Sequence, residues 1–340
     1  MPCSISLDWS YKGMRTLVME NSSLRVVLLL DKGSDIMEMR FKPLDINLMW
    51  QSPLGWRNPL KDTAPNPNLD GSFLDYYGGG WQDIAPSAGG HPVTHRGVRL
   101  GVHGESAMLP WSCMVEEESG WRVTAYMRVD GVRYPFKLEK RITLTEKEEM
   151  ITFNERLTNT GRQTLEFSWV QHPSFGEPFL EPGSKIELPE GGTVIVQEES
   201  YNPLGRLRQG EYEWPNVKDR NGRDVDLSII PNKDLIAEET SFITGLEAGR
   251  YVIWNKRLGL GFEMRWDTSL FRYLWFWQNY NTPDYPWYGM AWNIALEPCT
   301  SYPGGLSEQI KAKTHLELQA GAYVETEYKV KIIWKTKLNV

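Results

Sequence analysis

Residues Ile151-Thr-Phe-Asn-Glu-Arg-Leu157 alternate apolar and polar side chains, and Leu165-Glu-Phe-Ser-Trp169 does the same. A period of two is the signature of a half-buried strand, because successive side chains leave a pleated backbone on opposite faces. Working outward, comparable runs predict strands over 107–116, 121–129, 135–145, 148–159 and 163–171. Near the start, strands over 14–20, 24–30 and 35–42 are separated by the polar turns Glu20-Asn-Ser-Ser23 and Asp31-Lys-Gly-Ser34, which reads as a meander of hairpins. Further strands are predicted over 184–188, 192–197, 225–230, 241–245, 250–256, 259–266, 271–277, 292–297 and 315–334, with 198–222 polar and loop-like. No helical periodicity is sustained beyond about two turns. The expectation is an all-β protein with large antiparallel sheets stacked as a sandwich. No Pro/Ser-rich linker divides the strands, so residues 1–340 are expected to form one domain.

A chain of 340 residues can bury a large core. Its net charge of -7 argues against nucleic acid or an anionic membrane surface as a partner. The aliphatic run from Val26 to Leu30 is far too short to span a bilayer. Asp8 stands where a secretory signal would need apolar residues. The three cysteines, Cys3, Cys113 and Cys299, are scattered and form no Cys-x-x-Cys pair. That pattern fits a reducing cytoplasm and excludes a zinc ribbon. Fifteen Trp and fifteen Tyr exceed what a core of this size ordinarily uses. Many gather in Trp275-Phe-Trp277, Tyr280, Tyr285, Trp287, Tyr288 and Trp292. A flat apolar ring with a polar edge suits the C–H face of a pyranose. Trp277 is expected in a binding wall, with others of the cluster in the core.

Residues 43–100 are rich in Pro, Gly, Asn and Asp, and a long irregular segment of that kind commonly walls a site. It contains Tyr77-Gly-Gly-Gly-Trp-Gln-Asp-Ile-Ala-Pro86. The glycines allow close backbone approach, but no Gly-Lys-Ser/Thr follows, so this is not a phosphate loop. Gly101-Val-His-Gly-Glu105 sets His103 between glycines, either open to a ligand or bonded to backbone carbonyls. His91 and His95 lack the helical context that would aim both at one ion, so no metal is expected.

Two stretches carry chemistry. Ile294-Ala-Leu296 reads as a short buried strand with Glu297 at its end, Pro298 stopping the ladder, and Pro303-Gly-Gly305 turning the chain away. Read alone, Glu297 is either a working carboxylate or a strand-end acid facing water, and Cys299 either lines a site or packs. Gln171-His172-Pro173 repeats the arrangement, a titratable residue followed by proline at a predicted strand end.

Three motifs in order, Val102-His103-Gly104-Glu105, Gln171-His-Pro-Ser-Phe175 and Ala295-Leu-Glu-Pro-Cys-Thr-Ser-Tyr-Pro303, resemble those of the aldose 1-epimerase (galactose mutarotase-like) superfamily over roughly residues 15–335. The resemblance implies a β-supersandwich with a groove on one sheet. It implies Glu297 as general base, His172 as general acid and His103 as a sugar ligand, with a small sugar as partner and no cofactor. Exchanging anomers requires removing the O1 proton and protonating the ring oxygen, which one carboxylate and one imidazolium supply. Their mutual attraction is expected to favour that charged pair. Gly-Gly-Trp-Gln-Asp stands where typical members carry Gly-Arg-x-x-Asn-Arg, so Gln82 and Asp83 are expected to take over hydroxyl contacts. Glu239 is the nearest counterpart of the family's sugar-binding Asp.

The leading reading is a mutarotase acting on a free aldose or an acidic derivative. A carbohydrate lyase is the second reading, with Arg57, Arg96, Arg99, Arg265 or Arg272 available to neutralise a uronate. A non-catalytic sugar-binding protein is the third. The oligomeric state stays open, a homodimer included.

Overall fold

The computed structural model describes residues 2–62 and 72–335. Among these, two large antiparallel sheets of thirteen and eight strands dominate. Between them lies one apolar cluster that takes in residues from Cys3 to Ile332. The alternation over Ile151–Leu157 does what period two requires: Ile151, Phe153 and Leu157 are buried while Asn154 faces out. That strand, Met150–Asn159, lies in the middle of the eight-stranded sheet between Phe136–Thr145 and Tyr323–Trp334.

Five strands of the thirteen-stranded sheet carry the site: β1 Trp81–Ile84, β2 Val170–Gly176, β3 Ala237–Thr244, β4 Tyr273–Tyr280 and β5 Trp292–Cys299. Their order across the sheet is β1, β2, β5, β4, β3. The glycine run before β1 permits the predicted close approach: a Cβ at Gly79 would meet the Trp50 carbonyl at 2.3 Å, and one at Gly80 the Ile36 carbonyl at 2.4 Å. Helices are short, α1 over Ser72–Tyr76 and α2 over Leu306–Ala312.

Several expected boundaries move. The run predicted over 163–171 divides: Leu165–Phe167 pairs with Leu316–Leu318 in a small separate sheet, and β2 begins at Val170. Between them the Ser168 amide donates to the Pro86 carbonyl and the Trp169 amide to Thr300 Oγ1, which lifts the chain off one ladder and onto another. The run over 315–334 also breaks, because Gly321 at φ 72 turns the chain. Of the irregular 43–100 stretch, residues 63–71 lie outside the described residues.

The most consequential correction concerns the prolines. Pro173 and Pro298 end no strand, since β2 runs on to Gly176 and β5 to Cys299. Val170 pairs with Cys299 and Ser174 with Ala295, in one register on both sides of the prolines. His172 therefore falls directly opposite Glu297. Proline offers no N–H to a ladder. The two prolines thus sit at a local interruption of β2–β5 pairing rather than at its end.

Candidate active site

The sheet register builds the site. On one face, β2 presents His172, β5 presents Glu297, β4 presents Trp275 and Trp277, and β3 presents Glu238 and Thr240. Together they floor a cavity of about 320 Å³. The His172 Nε2 and Glu297 Oε1 atoms lie 3.4 Å apart. Both residues are almost wholly buried, at 4% and 2% exposure. Aromatic rings close around them: Tyr77 meets His172 edge-on at 5.7 Å, and Trp277 lies at 6.0 Å from it. Phe73 of α1 packs on His103 at 4.5 Å, and Tyr201 and Asn202 complete the wall. The 198–222 stretch expected to be loop-like in fact forms strands at Gly210–Glu213 and Asn216–Lys218, and these two residues precede them.

His103 reaches the cavity from a left-handed turn, at φ 59. The following Gly104 is needed there, because a Cβ on it would meet the Ala85 carbonyl at 2.6 Å. The His103 Nδ1–H donates to the Ala88 carbonyl at 2.8 Å. Burial lowers its pKa to about 4, so near neutral pH the ring is uncharged and Nε2 is an acceptor. That suits it to receive a hydrogen bond from a sugar hydroxyl.

Burial pushes the Glu297 carboxyl well above the usual carboxylate range and the His172 imidazole down to about 3. The expectation that attraction would hold them charged is not met, because removing both from water penalises both charges. The neutral pair and the ion pair hold the same protons and differ by one transfer. Hydroxyls bonded to both groups would favour the charged forms and shift that balance toward the ion pair.

The four expected residues His172, Glu297, His103 and Trp277 are thus brought together, and three others are not. Asp83 faces the opposite side of the sheet, between the two layers, where Lys140 pairs with it and Gln171 Nε2 donates to it at 2.5 Å. Glu239 likewise faces inward and pairs with Arg206 at 3.0 Å, while its neighbour Glu238 lines the cavity. A shift of one residue along a strand exchanges faces, and the Glu238-Glu239 pair is the case where that mattered. The Trp277 indole bonds Glu238, whose pKa burial raises. Gln82 lies beside His172 on the site face but is wholly buried and does not line the cavity. Its amide donates to Asp35 at 3.0 Å and to the Gly79 carbonyl at 2.7 Å. Gln82 is therefore an underlay of the site, not a lining residue. Phe73 lies in the 43–100 stretch expected to wall a site, though no residue-level pattern singled it out, and Tyr201 and Asn202 carried no sequence signal.

His95 bonds Glu166 at 3.0 Å, away from His91 in the cavity wall. Among the described residues no three His, Cys, Asp or Glu side chains stand together as a metal site, and no helix is long and apolar enough to cross a membrane.

Buried His172 gives folding a pH dependence of definite sign. Its folded pKa lies below the unfolded value of about 6.5, so the unfolded chain binds the extra proton and stability falls as pH drops below that value. Between pH 7 and 5 this one group is expected to cost about 2 kcal/mol. Urea melts across that range should show His172→Asn losing less stability than the parent by about that amount. Parallel curves for the two proteins would mean that His172 is not held neutral.

The fold is that of the galactose mutarotase-like proteins. The chain belongs to the family described as a domain of unknown function, DUF4432, whose model matches residues 11–332. Among solved structures it is similar to a candidate aldose 1-epimerase from Klebsiella pneumoniae subsp. pneumoniae MGH 78578. That match has 19% identity and a TM-score of 0.74, and covers 98% of this chain and 84% of that one. A candidate aldose 1-epimerase from Escherichia coli K12 matches at 15% identity and TM-score 0.62, covering 98% and 100%. A galactose mutarotase-like protein from Clostridium acetobutylicum matches at 11% and 0.66, covering 98% and 99%. A search of curated proteins by sequence finds no match.

Proposed function

We propose that this protein interconverts the α and β anomers of a free, neutral aldose. The observation that carries the reading is His172 opposite Glu297, 3.4 Å apart on the floor of an aromatic cavity sized for one sugar. Glu297 takes the O1 proton while His172 delivers one to the ring oxygen, and the C1–O5 bond opens to the aldehyde. Rotation about C1–C2 presents the other carbonyl face. Closure then returns the proton from O5 to His172 and the proton from Glu297 to O1, leaving both groups as they began.

The cavity lining supports a neutral sugar over an acidic one. It includes Glu238, Glu297 and three histidines, and no Arg or Lys among the described residues. A lyase acting on a uronate needs a cation to neutralise the carboxylate. Of the five arginines available for that task, Arg96 pairs with Glu166, Arg265 with Glu263, Arg272 donates to the Thr314 carbonyl, and neither Arg57 nor Arg99 lines the cavity. A purely binding role leaves the acid–base pair without a purpose.

The test is anomer exchange, followed by polarimetry or NMR on a panel of neutral and acidic aldoses. Acceleration with at least one neutral aldose is expected. Binding without acceleration of any sugar would move the protein to the binding-module reading.

Trp277 supplies a face for the ring and an indole N–H to Glu238. Trp277→Ala should weaken sugar binding by about 1–3 kcal/mol. A fluorescence titration that returns the parent's affinity would remove Trp277 from the binding wall.

A further inference from the structure

The cavity floor continues sideways as one row across the sheet. Register sets Trp275 beside Glu297, Glu297 opposite His172, and His172 beside Gln82. Beyond Gln82 comes Asp35, at the start of the neighbouring strand Asp35–Phe41, which accepts from Gln82 Nε2 at 3.0 Å. Lys32 ends the row, paired with Asp35, and both side chains are wholly buried. Among the described residues Gln82 Oε1 and His172 Nδ1 are buried without a hydrogen-bond partner. One is an acceptor and the other a ring nitrogen that can donate. They belong to directly paired residues of β1 and β2. Asp35 Oδ1 is unpaired too, but it lies two strands from His172.

The Gln82 amide has only one orientation. Its nitrogen meets the Asp35 carboxylate and, at 2.7 Å, the Gly79 carbonyl. A carbonyl only accepts, so the nitrogen must face them and Oε1 must face away. His172 turns Nε2 toward Glu297 on β5. The two nitrogens of an imidazole point away from each other across the ring, which leaves Nδ1 on the β1 side. The His172 carbonyl bears on its own ring without reaching hydrogen-bond geometry. The proposed chemistry makes a matching demand. One transfer between Glu297 and the facing Nε2 interconverts the neutral pair and the ion pair only if neutral His172 carries its proton on Nδ1. A buried N–H with no acceptor is costly, and Gln82 holds an unused acceptor one strand away.

We propose that Gln82 is the positioning residue of His172: its Oε1 accepts the Nδ1 proton and holds the ring in the tautomer that leaves Nε2 free to exchange a proton with Glu297 and the sugar. The purpose assigned to this bond rests on the anomer-exchange reading. Lys32 and Asp35 fix the amide from behind, so the whole row from Lys32 to Glu297 becomes one connected chain. A proton-transfer imidazole oriented through its far nitrogen by a third group is a general device of acid–base sites. The same acceptor steadies the imidazolium, since Nδ1–H persists in the charged ring.

The experiment reads the tautomer directly, without sugar, by long-range ¹H–¹⁵N correlation on histidine-labelled protein at neutral pH. His172→Asn assigns the signal among the five histidines. The expected parent spectrum shows the proton on Nδ1. Gln82→Met removes the carbonyl at similar volume. It should move His172 toward the Nε2–H form and slow anomer exchange about 10–100-fold, part of what an acid–base pair supplies, with KM within a few-fold of the parent. Gln82→Glu should restore both. Burial and the Asp35 charge keep that carboxyl protonated, so it donates to Asp35 and accepts with its other oxygen. A parent protonated on Nε2 overturns the proposal, as does Gln82→Met that keeps the Nδ1–H form, or Gln82→Glu that behaves like Gln82→Met. Should Gln82→Met fail to fold, the parent decides: cross-relaxation between the Nδ1 proton and the Gln82 side chain is expected, and its absence overturns the bond. The two readings fail separately. Expected tautomers with no sugar exchanged leave the hydrogen bond standing and sink anomer exchange. Exchange in the parent with a tautomer indifferent to Gln82 sinks the positioning role alone.

Discussion

Glu297→Gln is expected to slow anomer exchange by about 10²–10⁴-fold while sugar still binds within a few-fold of the parent. The amide keeps the size of the side chain and most of its hydrogen bonding, but it cannot accept the O1 proton. His172→Asn should cost a comparable factor, because it can donate a hydrogen bond but cannot pass a proton. The two side chains face each other across 3.4 Å and act as a unit. Their losses should therefore not multiply, and the double variant should be little slower than the worse single one. Exchange rates and binding need to be read together. If Glu297→Gln exchanges anomers as fast as the parent, the base lies elsewhere and β5 is only structure.

The second large effect is on stability and comes from the other face of the same strands. Asp83 and Gln171 point between the sheets, where they meet Lys140, Glu155 and Tyr328 from the opposite layer. Trp81 Nε1 donates to Gln171 at 2.9 Å, and the Lys140 ammonium lies over the Trp111 ring at 4.9 Å. Burial, together with the nearby Asp83 charge, raises the Glu155 pKa well above the carboxylate range, so Glu155 is held neutral and Lys140 balances Asp83. Lys140→Met leaves the Asp83 charge buried without its partner and should lower the unfolding free energy by about 3–5 kcal/mol. Asp83→Asn should also destabilise, and the double variant should cost less than the sum of the two, since each removes the same pair. Urea denaturation at neutral pH measures all three. A change under about 0.5 kcal/mol in Lys140→Met, the range typical of surface substitutions, would mean that water reaches this cluster. A raised sugar KM in Asp83→Asn with stability intact would restore Asp83 as a hydroxyl contact.

Much was legible in the chain. Alternation in Ile151–Leu157 identifies strands because one face of that sheet is wet and the other dry. Three short motifs mark His103, His172 and Glu297, and the density of tryptophans marks the wall. Local pattern could not say which residues of the site strands face the cavity. Every residue of β2 and β5 is buried, so neither strand shows the polar/apolar alternation that reveals which side is which. Asp83 was misplaced for the same reason, since β1 is buried throughout, whereas in β3 two like acids stand side by side and their type alone does not say that Glu238 rather than Glu239 faces the cavity. The prolines misled in the same way. Pro173 and Pro298 read locally as strand ends, whereas pairing between segments more than a hundred residues apart carries both strands past them.

By itself, then, the sequence determined the all-β class and the residue types that do the proposed chemistry, because strand periodicity and motif spacing are local properties. The tertiary structure alone decided that His172 stands opposite Glu297, that Lys140 neutralises Asp83 between the layers, and that Glu238 rather than Glu239 lines the cavity. Those are matters of register and of which face of a doubly buried sheet a side chain takes. Long-range pairing sets them, and no run of neighbouring residues encodes them.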